Sequence, residues 1–187
     1  MRITGKKAFS LIEFAIVIVI AAIIAAVGTA VLTFSIQNLV YTPNRLNMDM
    51  IAQEAIDAIV DGDINAKGLR FSRQITAVAA NTVTYVGQDS KTVIITLDTG
   101  TNKLTRTINA VADSNFLYYT ASSSINITVG RNGALFLYYD SAGSITSTPA
   151  NVRRIEVNLI AKTQTGSFQN WQGQSEASSS IYVPKFQ

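Results

Sequence analysis

The feature that most constrains this chain is a long apolar run near its N-terminus that begins beside one carboxylate. From Phe14 onward the next charged side chain is Arg45, so the run exceeds the roughly 20 residues that an α-helix needs to cross a bilayer core. Glu13 stands at the start of this run. An acid at the bilayer centre costs on the order of 2.5–3.5 kcal/mol, and less near the interface, so intramembrane acids usually have a partner and a function. The run predicts a membrane-spanning helix whose single acid needs its own explanation.

The residues before the run form a short basic segment with a small residue at its end. Lys6 and Lys7 are followed by Ala8 and Phe9, and Glu13 comes four residues after Phe9. This pattern resembles the class III leader of type IV pilins and of type II secretion pseudopilins. The resemblance implies that residues 1–8 are a leader, that prepilin peptidase cuts between Ala8 and Phe9, and that the new amine of Phe9 becomes N-methylated. The family usually has Gly where this chain has Ala8, which is also small.

The same resemblance implies a function in assembly. We expect a structural subunit of a type IV pilus-like filament of a diderm bacterium, serving adhesion, motility or DNA uptake. Its expected partners are other pilin subunits, the prepilin peptidase and methylase, the inner-membrane assembly machinery and the membrane itself. The precursor would cross the inner membrane once with its N-terminus in the cytoplasm, and the filament would lie in the periplasm or at the cell surface. Within the filament, Glu13 would approach the amine of Phe9.

Other interpretations of the N-terminal run stay open. A pseudopilin of a type II secretion system would share every feature of the leader. An uncleaved signal anchor carrying a β-domain with a binding role would explain the basic start and the apolar run, but it gives Glu13 no purpose. A conventional secretory signal could be cut after Gly28-Thr29-Ala30, so that the mature chain would start at Val31. A buried soluble helix would need a larger core than the rest of the chain offers.

Composition narrows the function of the rest of the 187-residue chain. Arg2, Lys6 and Lys7 account for the whole formal charge of +3, so the basic character belongs to the expected cytoplasmic end. The globular part contains no basic run interleaved with aromatic residues, so its sequence does not predict nucleic-acid binding. The chain contains no histidine and no cysteine, which excludes the usual neutral-pH general base, thiol nucleophiles and thiolate metal sites. We expect no enzymatic activity, no cofactor and no metal, although a lysine or a carboxylate pair could still form a catalytic site.

A second helical pattern follows the apolar run. Pro43 predicts that the first helix ends or kinks around Tyr41-Thr42-Pro43-Asn44, because proline lacks a donor and disfavours helix at the residue before it. Apolar residues then recur at helical spacing, with acids and Gln53 on the opposite face. The apolar set is Met48, Ile51, Ala52, Ala55, Ile56, Ile59 and Val60. This pattern predicts an amphipathic helix that ends at Asp61-Gly62-Asp63, a turn that could also suggest calcium but lacks the rest of an EF-hand loop.

The remainder of the chain shows alternating β patterns. They predict a hairpin of residues 82–86 and 92–97, a third strand over 103–108, and further strands over 134–139 and 152–161. In the last of these, Ile155, Val157, Leu159 and Ala161 share one face. The fold class expected is α+β, in which a long N-terminal helix packs its second half on an antiparallel β-sheet, as in pilins. The domains are 1–8 as leader, 9–42 as transmembrane and filament-core helix, and 43–187 as the globular part.

Two features of the C-terminal part bear on the pilin subclass and on contacts with other molecules. The turn Tyr138-Tyr139-Asp140 to Gly143, together with the strand from Val152 to Leu159, resembles minor pilins and J-type pseudopilins. The polar stretches at residues 121–124 and 163–180 are expected to be exposed loops. Trp171 in the second stretch is interpreted either as an adhesive or subunit contact or as an aromatic folded back onto the sheet.

Overall fold

The computed structural model describes residues 10–114, 116, 125–130, 132–163 and 173–183, without the side chains of residues 40, 41, 43 and 44. Its first element is a helix of 50 residues, α1, over Leu11–Val60. By its internal contacts the chain divides into two compact units between Val40 and Tyr41. The expected leader, Phe9, residues 121–124 and Trp171 all lie outside the described residues.

Of the two outcomes predicted for Tyr41-Thr42-Pro43-Asn44, a helix end is wrong, whereas a kink stays a prediction. The helical backbone continues through residue 43 to Val60. A proline inside a helix forfeits the hydrogen bond of its own nitrogen and crowds the preceding turn. The helical tendency of the apolar sequence before Pro43 and of the amphipathic sequence after it therefore outweighs this local cost. The amphipathic pattern was identified correctly, but it belongs to the same helix.

The second half of α1 buries one face against β-structure, as predicted. Met48, Ala52, Ala55 and Ile59 are at most 1% exposed, while Asp49, Gln53, Glu54 and Asp57 are exposed on the other side. The helix ends where the turn signal predicts, and Gly62 adopts the left-handed conformation with φ 79°. A short 3-10 helix, Leu69–Phe71, leads from this turn into the first strand.

The β-structure consists of two antiparallel sheets rather than the single sheet that was expected. The first contains β1 Ser72–Ala79, β2 Thr82–Gly87, β3 Thr92–Asp98, β4 Lys103–Ile108 and β5 Val111–Ala112, in that order. The predicted hairpin and third strand are its centre, with Val86 opposite Thr92 and Asp98 opposite Lys103. β1 and β5 extend this meander on either side.

The second sheet is built around β8, Arg154–Thr163. Both β6, Ile125–Val129, and β7, Phe136–Tyr139, pair with the same edge of β8, and β9, Gln174–Tyr182, pairs with its other edge. β6 and β7 thus act as one strand interrupted near Gly130. A Cβ at Gly130 would lie 2.7 Å from the Cβ of Asn158, so the close approach of the two backbones requires glycine there.

One hydrophobic core is shared by the second half of α1 and both sheets. The sheets meet where the amide of Phe136 donates to the carbonyl of Ala80, at 2.9 Å, and the amide of Ile127 donates to the carbonyl of Asn102, at 3.1 Å. The predicted inward face of β8 is fully buried. The α+β arrangement of a long N-terminal helix and antiparallel β-structure is therefore confirmed, and it is consistent with a pilin-like fold.

Candidate membrane-spanning and assembly site

The first half of α1 is apolar and exposed on all its faces. The segment Leu11–Leu39 is long and apolar enough to cross a membrane, and none of its most apolar part is buried by the described residues. Phe14, Ile24 and Leu32 are each more than 60% exposed. A helix that is apolar all round needs lipid or other protein around it. This segment could therefore span a membrane, as its length and composition predicted.

The two threonine hydroxyls within this segment are satisfied locally. The hydroxyl of Thr29 donates to the carbonyl of Ala25 at 2.8 Å, and that of Thr33 donates to the carbonyl of Thr29 at 2.9 Å. Such bonds leave no hydroxyl proton without an acceptor in an apolar medium. Gly28 lies on the same stretch, and nothing occupies the space beside its Cα. These small residues would allow a neighbouring helix to approach closely.

Glu13 takes part in a capping box at the start of α1. The amide of Ser10 donates to Oε2 of Glu13 at 2.9 Å, and the amide of Glu13 lies 3.2 Å from Oγ of Ser10. Two backbone donors that the first helical turn leaves unpaired are satisfied reciprocally in this way. The sequence carries the signature as Ser10-Leu11-Ile12-Glu13, and our sequence analysis missed it. Glu13 therefore has a local role in addition to any role in assembly.

The buried charge of the globular unit is a cluster around Arg106 on β4. This residue is 2% exposed, and its guanidinium contacts Oδ2 of Asp113 through Nε at 2.9 Å and Oδ2 of Asp63 through Nη2 at 2.5 Å. The guanidinium also lies over the ring of Phe116, 4.5 Å from the ring centre. Asp63 follows the end of α1, and Asp113 follows β5. The cluster thus ties the end of the helix to the far edge of the first sheet.

The pKa of Asp63 reflects this position. Partial burial would raise it, but hydrogen bonds from Arg106 and from the amides of Asn65 and Ala66 outweigh burial, so the pKa lies below its usual value. The other carboxylate of the turn, Asp61, lies 2.9 Å from Nη1 of Arg70. Both acids that could have suggested calcium are thus bound by arginines. Among the described residues, no group of three or more acids is placed to hold a metal ion.

Two buried tyrosines have strongly shifted pKa values for structural reasons. Burial raises the pKa of both Tyr85 and Tyr138 well above the usual value. The hydroxyl of Tyr85 donates to the carbonyl of Lys67 at 2.8 Å, and that of Tyr138 lies within 3.1 Å of the carbonyls of Ala79 and Thr82. Both hydroxyls therefore stay protonated at neutral pH and act as donors that join segments of the fold.

That the chain is not an enzyme stays a prediction.

Of the residues predicted to act in processing and assembly, Glu13 lies within the described chain, whereas Ala8 and Phe9 lie outside it. Comparisons with models of protein families, with curated proteins and with solved structures found no match to this chain.

Proposed function

We propose that this chain is a structural subunit of a type IV pilus-like filament, assembled from a pool of membrane-anchored precursors. The observation that supports this most is that α1 is one helix with two different surroundings. Its first half exposes apolar side chains on every face, and its second half is buried on one side by two sheets. Lipid and the same segments of other copies are the two environments that would cover the first half.

Glu13 supplies the electrostatic part of the proposal. In a bundle of such helices its carboxylate would approach the positive amine of Phe9 on a neighbouring copy. An attraction between charges is stronger in a low dielectric than in water, and an unpaired buried charge is strongly penalised. An incoming subunit would be neutralised only at the correct axial offset, so the pair would set the register of the filament.

The capping box provides a matched pair of variants that separate two roles of Glu13. Glu13→Gln removes the charge, but glutamine can still fill its place in a capping box. Ser10→Ala weakens the cap and keeps the charge. We expect Glu13→Gln to reduce incorporation at least about ten-fold, because it leaves the partner charge unpaired, while Ser10→Ala incorporates nearly normally.

The measurement is the fraction of processed protein in sheared filaments relative to membranes, with wild-type copies of any other subunits present. Glu13→Val should behave like Glu13→Gln, since a lower cost of membrane insertion does not restore the attraction. Unchanged incorporation of both Glu13 variants would contradict the register role. If only Ser10→Ala reduces incorporation into filaments, the role of Glu13 is to cap the helix.

A pseudopilin of a type II secretion system remains the alternative within this family. It shares the helix, the leader and the proposed role of Glu13. The pseudopilin alternative would be favoured if the chain formed a short periplasmic assembly that requires a secretion machinery. The pilus proposal expects surface filaments that are released by shearing. A single-pass anchored domain with a binding role would give neither kind of assembly.

A further inference from the structure

The outer edge of β1 forms one wall of a surface groove that we call the β1 groove. β1 is the first strand of its sheet, and no described strand pairs with its outer side. The groove has a volume of about 800 Å³ and lies between residues 73–76 of β1 and residues 148–153, near Val183. Ile75, Val152 and Val183 are less than 10% exposed and line it with apolar surface.

Two arginines at this groove have no carboxylate partner among the residues that the structure describes. Nη1 of Arg153 donates to the carbonyls of Ala150 and Val152 at 3.1 and 2.7 Å, and Nη1 of Arg73 lies 3.4 Å from Oγ of Ser90. All of these acceptors are neutral. Within the described chain, the ion pairs of arginine involve Arg70 and Arg106, so no carboxylate pairs with either groove arginine. The groove thus combines an apolar lining with two positive charges.

A surface of the opposite character lies on the second half of α1, and we call it the acidic helix face. Its apolar members are Leu46 and Met50, which are 59% and 61% exposed. Its acids are Asp49, Glu54 and Asp57, all exposed. The helical spacing of these residues places them together on the side away from the core. None of the three acids forms an ion pair with a described residue, and the carboxylate of Asp57 accepts from the neutral amide Nε2 of Gln53 at 3.1 Å.

We propose that the β1 groove of one copy receives the acidic helix face of a second copy. Leu46 and Met50 would contact the apolar lining, and the acids would neutralise Arg73 and Arg153. Arg45 is the one cation in the sequence of the second half of α1, so the three acids leave this half net negative. Two different surfaces that fit each other make a heterologous contact, which can repeat from copy to copy into an open filament. This inference rests on the proposed function, since it names the contact through which the globular parts of the subunits would associate.

The absence of cysteine from the chain makes a cross-linking test specific. One full-length variant carries Ala150→Cys at the groove, a second carries Gln53→Cys on the helix face, and each has a tag of different size. Both are produced together in cells that make the protein, and a short bismaleimide joins thiols that lie close. Only a contact between two copies can give the mixed dimer. Ser141→Cys, on an exposed turn, replaces Ala150→Cys in the control.

We expect the groove pair to yield at least about five times more mixed dimer than the control, given the coupling that close charge pairs provide. Adding Arg73→Glu and Arg153→Glu to the groove partner should remove most of this excess, and Glu54→Lys with Asp57→Lys in the other partner should restore it. If the double variant folds poorly, Arg73→Glu alone serves as the test, because it loses only the contact with Ser90. It should also lower the yield of the mixed dimer.

Equal yields for the groove and control pairs, or a yield that does not respond to charge reversal, would overturn the inference. Dimers are counted separately in sheared filaments and in membranes. Filaments without the specific dimer would overturn this contact and leave the subunit function standing. The specific dimer in membranes of wild-type cells that make no filaments would support the contact and contradict the filament function.

Discussion

Replacement of Arg106 by methionine tests whether the buried cluster holds the end of α1 against the first sheet. The variant keeps an apolar chain beside Phe116 but leaves two acids without their cation. The side chain of Asp63 is 36% exposed and can rehydrate, whereas that of Asp113 is 6% exposed and cannot. Removing one partner of a buried ion pair costs roughly 3–5 kcal/mol of stability, and the loss here is assigned mainly to Asp113.

For a chain of this size, each kcal/mol lowers the melting temperature by about 2–4 °C, so Arg106→Met should lower it by roughly 6–20 °C. The assay is thermal unfolding of the full-length protein in a mild detergent, followed by near-UV circular dichroism of the buried tyrosines. Arg73→Met is the matched control, because Arg73 is exposed and pairs with no carboxylate of the described residues. Its effect should stay within about 0.5 kcal/mol.

The combination of Arg106→Met with Asp113→Asn distinguishes the electrostatic effect of losing the Arg106–Asp113 ion pair from the effect of lost packing. Because the combined variant contains no charged Asp113, it should recover more than half of the melting temperature that Arg106→Met loses. A combined variant as unstable as the single one would refute the electrostatic reasoning. Equal effects of Arg106→Met and Arg73→Met would refute the role of the cluster altogether.

Two further predictions concern the globular unit. Residues 43–187 alone should form a soluble, folded domain with β-structure, because the second half of α1 and the sheets bury each other; disorder by circular dichroism and proton NMR would contradict this division. The lowered pKa of Asp63 means that its contribution to stability is present above the unfolded pKa of about 3.9 and is lost as pH falls through the lower folded value. Acid unfolding of Asp63→Asn should lack this part of the pH dependence, and identical acid profiles for the variant and the wild type would exclude it.

The sequence predicted the elements whose patterns are local and regular. The amphipathic spacing from Met48 to Val60, the glycine turn at Gly62 and the hairpin of β2 and β3 were all correct. The helix end at Pro43 was wrong because a local preference was given more weight than the helical tendency of the flanking sequence. Helix caps are equally local, and Ser10 with Glu13 could have been recognised as a capping box.

The missed strands have non-local or irregular causes. β1 contains two register shifts, so its buried residues do not alternate and no period of two is visible. β9 contains four serines among its nine residues and was interpreted as part of a polar loop. It is a strand because it pairs along nearly the whole length of β8. The Arg106 cluster joins residues 43 positions apart in the sequence, which no local pattern indicates. Both groove arginines and their surroundings likewise come together only through the pairing of the sheets.

If this chain is processed as a pilin-like precursor and then assembled, the assembled protein has a defined N-terminus. Mass spectrometry of protein recovered from sheared filaments should show a chain that begins at Phe9 with a methylated amine, and Ala8→Trp should leave the full-length precursor in the membrane. A chain that begins at Val31, or an intact leader on the assembled protein, would contradict the account.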